Sequence, residues 1–190
     1  MKNSLRKSLW LAISICGLCI ALFMRCSMKT SEDGELFYDF ESADEFENFR
    51  LECGEQMALS DSFITHGKAG LKLDLFPTRF LHQFTGLKTG RFDKDWSAKS
   101  SLHIDFFNPQ RDTLKLYIKI ADARDAEYSD RYERSIRLHP GTTHFNLPFD
   151  SLLTNDRKRK LKLKSIWTLE FFLANVQERT TLFCDYLHLE

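Results

Sequence analysis

The sequence predicts an all-β protein, an antiparallel two-sheet β-sandwich of jelly-roll type, preceded by an N-terminal hydrophobic signal or anchor segment. Three observations carry this. Apolar residues recur with a period of two along most of the chain after Glu35. Turn-forming clusters divide the alternating runs: His66-Gly-Lys-Ala-Gly70, Asn108-Pro109, His139-Pro-Gly141 and Asn155-Asp156. The 17 Phe, among 43% apolar residues, supply the bulky filling that two facing sheets need.

The N-terminus stands apart. Lys2, Arg6 and Lys7 precede the uncharged run Leu9–Met24, and Arg25 follows, the pattern of an export segment. Its 16 residues exceed most signal cores and fall short of the roughly 20 that span a bilayer. Cleavage after Ala21, retention of residues 9–24 as a membrane anchor, and lipid attachment at Cys26 stay open, as does a buried core helix. Each export route places the remainder outside the cytoplasm at the cell envelope, anchored, periplasmic or secreted. Residues 1–26 are thus read as signal or anchor, 27–34 as a linker and 35–190 as one domain. The whole chain has 27 basic and 27 acidic residues, but the part after residue 26 has 23 and 27. No broad positive field remains for nucleic acid.

The strands follow in order. Leu36, Tyr38 and Phe40 alternate with Phe37, Asp39 and Glu41, and Ser42–Asn48 begins with a capping Ser and early acids, predicting a helical turn. Gly70–Leu75 and Ser101–Phe106 alternate cleanly. Thr113–Ala121 is the most regular, with Leu114, Leu116, Ile118 and Ile120 opposed to Lys115, Tyr117 and Lys119. Arg134–Leu138, Thr143–Leu147, Ser165–Leu173 and Thr181–Leu189 complete eight or nine half-buried strands, as antiparallel sheets require. On this pattern Trp96 belongs to the core, and so does Trp167, which shares a face with Leu169 and Phe171. Cys53 and Cys184 either pair or stay as two buried thiols; spacing does not decide between them.

The ordered set Tyr38-Asp-Phe-Glu41, Gly67-Lys-Ala-Gly-Leu-Lys-Leu73, Asp95-Trp-Ser97, Phe106-Phe-Asn-Pro109, Ile120-Ala-Asp122, Tyr128-Ser-Asp-Arg-Tyr132, Leu138-His-Pro-Gly141 and Leu182-Phe-Cys-Asp-Tyr-Leu187 resembles the galactose-binding-domain-like sandwiches. These include bacterial carbohydrate-binding modules and the complex I intermediate-associated protein family. The resemblance implies a non-catalytic, lectin-like domain whose partner is a polysaccharide or other glycan. It also implies a structural calcium ion, with Asp39, Glu41 and Asp185 and carbonyls near Gly67–Lys68 as ligands; hard oxygens suit that ion. An Asp inside an apolar last strand needs such a partner, or a Lys, Arg or turn to cap.

Sugar contacts in such modules come from exposed aromatics framed by carboxylate, amide and Arg groups. The residues that match are Tyr117 on its outward strand face, with Tyr128, Asp130, Arg131 and Tyr132 in the polar segment 122–134. The same Asp-Arg-aromatic run also reads as framework, with Arg131 in an ion pair. The basic run Arg157–Lys164 reads either as a solvated connection between sheets or as a patch for anionic lipid or acidic polysaccharide. No catalytic motif accompanies these residues, so binding without chemistry is expected. The alternative is an assembly factor that uses the sandwich for protein contacts; it would show an exposed apolar patch without a stacking platform.

Overall fold

The computed structural model describes residues 37–51, 56–77 and 83–190, all within one compact unit, Asp33–Glu190. Leu9–Met24, Cys26 and Cys53 lie outside the described residues. Eleven strands are described: β1 (Phe37–Tyr38), β2 (Phe49–Leu51), β3 (Gln56–Ser60), β4 (Gly70–Leu75), β5 (Phe84–Thr89), β6 (Ser101–Asn108), β7 (Leu114–Ala121), β8 (Tyr132–Leu138), β9 (Gly141–Pro148), β10 (Thr168–Ala174) and β11 (Thr180–Leu189). One sheet runs β3-β4-β11-β6-β9, with β1 also paired to β11; the other runs β2-β5-β10-β7-β8. Every pairing is antiparallel.

The core fills the space between the sheets. Leu71, Leu73, Ile104, Phe106 and Leu182 face it from the six-stranded sheet, and Leu116, Ile118, Leu169 and Phe171 from the five-stranded one. Phe106 meets Phe171 edge-on at 5.7 Å across the layers, an arrangement the ring quadrupoles favour. Trp96 is fully buried, stacked on Phe149 at 5.5 Å, with its Nε1 donating to the Asp93 carbonyl. Cys184 is a buried free thiol in this core, and burial pushes its ionisation well above the usual thiol range.

Three strands that sequence periodicity overlooks are β2, β3 and β5. β5 is buried on both faces over Thr85–Leu87, so it lacks the polar alternate residues that reveal a strand, and Gly86 interrupts what pattern there is. The helical turn is present as a 3-10 helix, Ala43–Asn48. Ser42 accepts from the Asp44 N–H, and Glu45 reaches back to the Ser42 N–H, a reciprocal cap. Burial nonetheless raises the Glu45 carboxyl, against the lowering by its backbone hydrogen bonds.

Candidate functional site

Alternation places the site. With Leu116, Ile118 and Ile120 inward, Tyr117 must face out. Register carries that face across the five-stranded sheet: Tyr117 lies opposite Phe172 of β10, and Phe172 opposite Gly86 of β5. The Phe172 ring stacks on Tyr117 at 5.1 Å and meets Phe84 edge-on at 5.2 Å. Gly86 is required, because a Cβ there would come within 2.1 Å of the Phe171 carbonyl and 2.5 Å of the Phe172 Cα. The result is an aromatic row from β5 to β7, with Phe172 buried at its centre and Phe84 48% exposed at one end. Beside it Glu170 and Lys119, cross-strand neighbours, pair at 2.8 Å.

At the β8 edge of this row is a hollow of about 330 Å³ lined by Tyr117, Tyr128, Glu133, Arg134, Ser135, Asn155 and Arg157. Asn155 organises it. Its side chain donates to the Tyr128 carbonyl at 2.8 Å and accepts from the Glu133 N–H at 3.0 Å and from Arg134 Nη1 at 2.5 Å. Sequence reasoning noted Asn155 only as a turn former; no local signal marks its role, which depends on β8 lying beside it. Tyr128 is 61% exposed, with the Arg131 guanidinium over its ring at 5.4 Å.

Of the five residues matched to sugar contacts, Tyr117 and Tyr128 therefore share a cavity. The other three hold its frame. Asp130 pairs with Arg159 at 2.6 Å, Arg131 with Glu133 at 2.7 Å, and Tyr132 is buried with Arg134 over its ring at 5.3 Å. Arg159 also forks onto Asp122, at 2.6 and 3.0 Å, and Asp122 accepts the Lys162 N–H at 2.7 Å. Burial pushes the Asp122 carboxyl up, but Arg159 and Lys162 outweigh it and hold it below the usual range. The run Arg157–Lys164 does connect the two sheets, between β9 and β10; Arg159 is engaged and Leu161 is buried in the core, while Arg157, Lys158, Lys160, Lys162 and Lys164 are exposed.

Trp167 corrects the expectation that it is core. β10 begins at Thr168, so the alternation does not extend to Trp167, which is 38% exposed and donates to Ser165 Oγ. It lines a cleft of about 610 Å³ with Arg50, Lys88, Arg91, Lys94 and Arg124, together with Glu47 and Asp125. Arg124 and Lys94 lie over the Trp167 ring at 5.4 and 5.8 Å.

The residues matched to calcium converge on the loop 65–69. Asp185 Oδ2 accepts from the Thr65 N–H at 2.6 Å and the His66 N–H at 3.0 Å. Glu41 Oε1 accepts from the N–H groups of Lys68 and Ala69, which hold its carboxyl below the usual range. Asp39 Oδ2 lies 3.6 Å from His66 Nδ1. The Asp185 and Glu41 oxygens thus face backbone N–H donors of the loop. Among the described residues, the three ligand groups that come within 4.8 Å of one another are His103, His188 and Glu190, on the other sheet's outer face. There the rings of His66, Tyr186, His188 and His103 follow one another at 4.0–5.1 Å.

No family model matches the chain. It is similar to Beta-agarase B of Vibrio sp. (strain JT0107), 22% identical over 166 residues, which is 80% of this chain and 17% of the agarase. The chain thus spans about a sixth of that relative's length. Among solved structures it is similar to an exo-beta-agarase, with TM-score 0.64 and 17% identity over 83% of this chain and 25% of that one. It is also similar to the family 11 carbohydrate-binding module from Clostridium thermocellum, in complex with a β-1,3-1,4-mixed-linked tetrasaccharide. That match has TM-score 0.57 and 18% identity, over 82% of this chain and 95% of the module. The fold is accordingly that of the β-sandwich carbohydrate-binding modules, and the resemblance read from the sequence holds at that level.

Proposed function

We propose that this chain is a non-catalytic carbohydrate-binding module whose site is the outer face of the five-stranded sheet. The observation that carries the reading is the row Phe84–Phe172–Tyr117 ending in the hollow formed with Tyr128, Glu133, Arg134 and Asn155. Exposed ring surface packs on the apolar faces of sugar rings, while a carboxylate, an amide and a guanidinium in one cavity satisfy hydroxyls that would otherwise be left unpaired. A bare apolar patch, as an assembly factor would present, lacks those flanking polar groups. The module of similar fold that was solved with a mixed-linked tetrasaccharide makes a soluble mixed-linked β-glucan the first ligand to test, with agarose beside it.

The experiment is titration of the full chain with each polysaccharide. Tyr117→Ala and Tyr128→Ala should each weaken binding about tenfold or more, on the order of 1.4 kcal/mol. Binding by both variants equal to wild type would sink this site, and so would failure of the wild type to bind any polysaccharide.

Two further parts of the proposal have their own tests. Export through residues 1–26 would put the domain at the cell envelope, where polysaccharide is met; fractionation of cells making the full chain checks this, and cytoplasmic recovery would refute it. A calcium ion at the 65–69 junction would take the oxygens of Asp39, Glu41 and Asp185 and replace the N–H donors as the tie between loop and strands. A thermal midpoint that rises with calcium supports the ion, whereas equal midpoints in calcium and chelator assign the tie to the N–H groups alone.

A further inference from the structure

The Trp167 cleft is built differently from the aromatic hollow. Five of its lining side chains are cationic, Arg50, Lys88, Arg91, Lys94 and Arg124, against the two acids Glu47 and Asp125. They come from separate parts of the chain and meet only because β2 pairs β5, β5 pairs β10 and β10 pairs β7. Arg50 and Lys88 are direct cross-strand neighbours, an arrangement in which like charges repel. Lys88 also faces Glu170 of β10 on its other side, and cations still outnumber acids five to two in the cleft lining.

Trp167 sharpens the point. Here Arg124 and Lys94 lie over the ring at 5.4 and 5.8 Å, within the reach of cation–π attraction. The indole therefore acts as a post for Arg124, while Lys94 is held at the cleft wall by the Phe92 ring at 4.4 Å and the Gly90 carbonyl. A cleft of about 610 Å³ has room for a sugar unit bearing a charged substituent.

We propose that the Trp167 cleft binds an anionic sugar unit, sulfated or carboxylated, of the same polysaccharide that the aromatic hollow holds. This rests on the carbohydrate-binding reading and narrows its substrate class to anionic glycans. Guanidinium groups suit sulfate and carboxylate alike, through paired N–H donors, so the two sources are separated by the test.

The full chain is titrated with a sulfated galactan, a polyuronate and neutral mixed-linked β-glucan. At least one anionic polymer should bind at least about tenfold more tightly than the neutral one at low salt, and lose most of that margin as salt rises from about 0.05 to about 0.5 M. The polymer that shows the margin identifies the substituent. The double variant Arg124→Ala/Lys94→Ala should remove the margin while neutral-glucan binding stays as it was. Arg50→Ala, on a different strand, should reduce it independently, and unchanged thermal midpoints guard against misfolding. Equal affinity for neutral and anionic polymers, or a double variant that keeps the margin, overturns the proposal while leaving the aromatic hollow standing. Failure of the wild-type chain to bind any of the three polymers would fail both.

Discussion

Asp185 is fully buried in the middle of β11, and its cost is met by four donors. These are the N–H groups of Thr65, His66 and Tyr186 and the Thr65 hydroxyl. The strand makes room for this with an irregularity between Asp185 and His188, where Tyr186 takes φ +51°, an uncommon conformation for a residue with a Cβ. Asp185→Ala would leave several buried donors without partners, so it should cost about 3 kcal/mol in denaturant unfolding; a loss under about 0.5 kcal/mol would contradict this. Gly67 is the second fixed residue of the junction. Its φ of +71°, and a Cβ that would lie 2.1 Å from Glu41 Oε1, make Gly67→Ala costly. The left-handed backbone alone contributes about 1 kcal/mol, and Glu41 would have to swing off the Lys68 and Ala69 N–H groups. A midpoint equal to wild type would contradict it.

At the scale of elements, the connection between β9 and β10 shows how a charged run can be structural. Arg159 is clamped by Asp122 and Asp130, Leu161 enters the core, and Leu153 bridges to Lys160. Removing the clamp should loosen the whole segment. Asp122→Ala is therefore expected to expose Arg157–Lys164 to trypsin, with cleavage there at least about tenfold faster than in wild type; an unchanged digestion pattern would show that the clamp is dispensable. The elements also show what a sequence can reveal. β4, β6, β7 and β11 are legible because apolar and polar residue types alternate along much of each. β5 is hidden because its middle is buried on both faces, and β3 because it is mostly exposed at an edge. Tyr117 is legible for the same reason as its strand. Asn155, Glu133 and the five cations of the Trp167 cleft are not, since strand pairing alone brings together residues as far apart as Arg50 and Arg124. Trp167 is misread because alternation says which face a residue takes but not where a strand begins.

For the whole molecule, carboxylates held low set the response to acid. Burial pushes Asp74 up, but the Thr181 hydroxyl, Arg179 and Lys72 outweigh it and hold it at about 2. Asp156 is likewise at about 2, through the Thr154 hydroxyl and the Lys158 N–H, and Asp122 is lowered as well. A depressed carboxyl contributes fully above its unfolded value, about 3.9, and loses that contribution as pH falls through its folded value. Glu45 works in the opposite direction, since its raised carboxyl makes protonation near pH 4.5 slightly favourable to the fold. The thermal midpoint should accordingly be nearly level from about pH 7 to 5 and fall steeply between about pH 4 and 2. A steep fall already at pH 6 would contradict this.

Both sheets carry rings on their outer faces, and on the five-stranded sheet exposed rings adjoin a polar hollow. Mapping amide chemical-shift changes in the full chain as mixed-linked β-glucan or an anionic galactan is added tests that choice most directly. Changes are expected to centre on Tyr117, Tyr128, Glu133, Arg134 and Asn155, with Trp167 and Arg124 joining for the anionic polymer. Changes centred instead on His66, His103, Tyr186 and His188, with the five-stranded face silent, would contradict it.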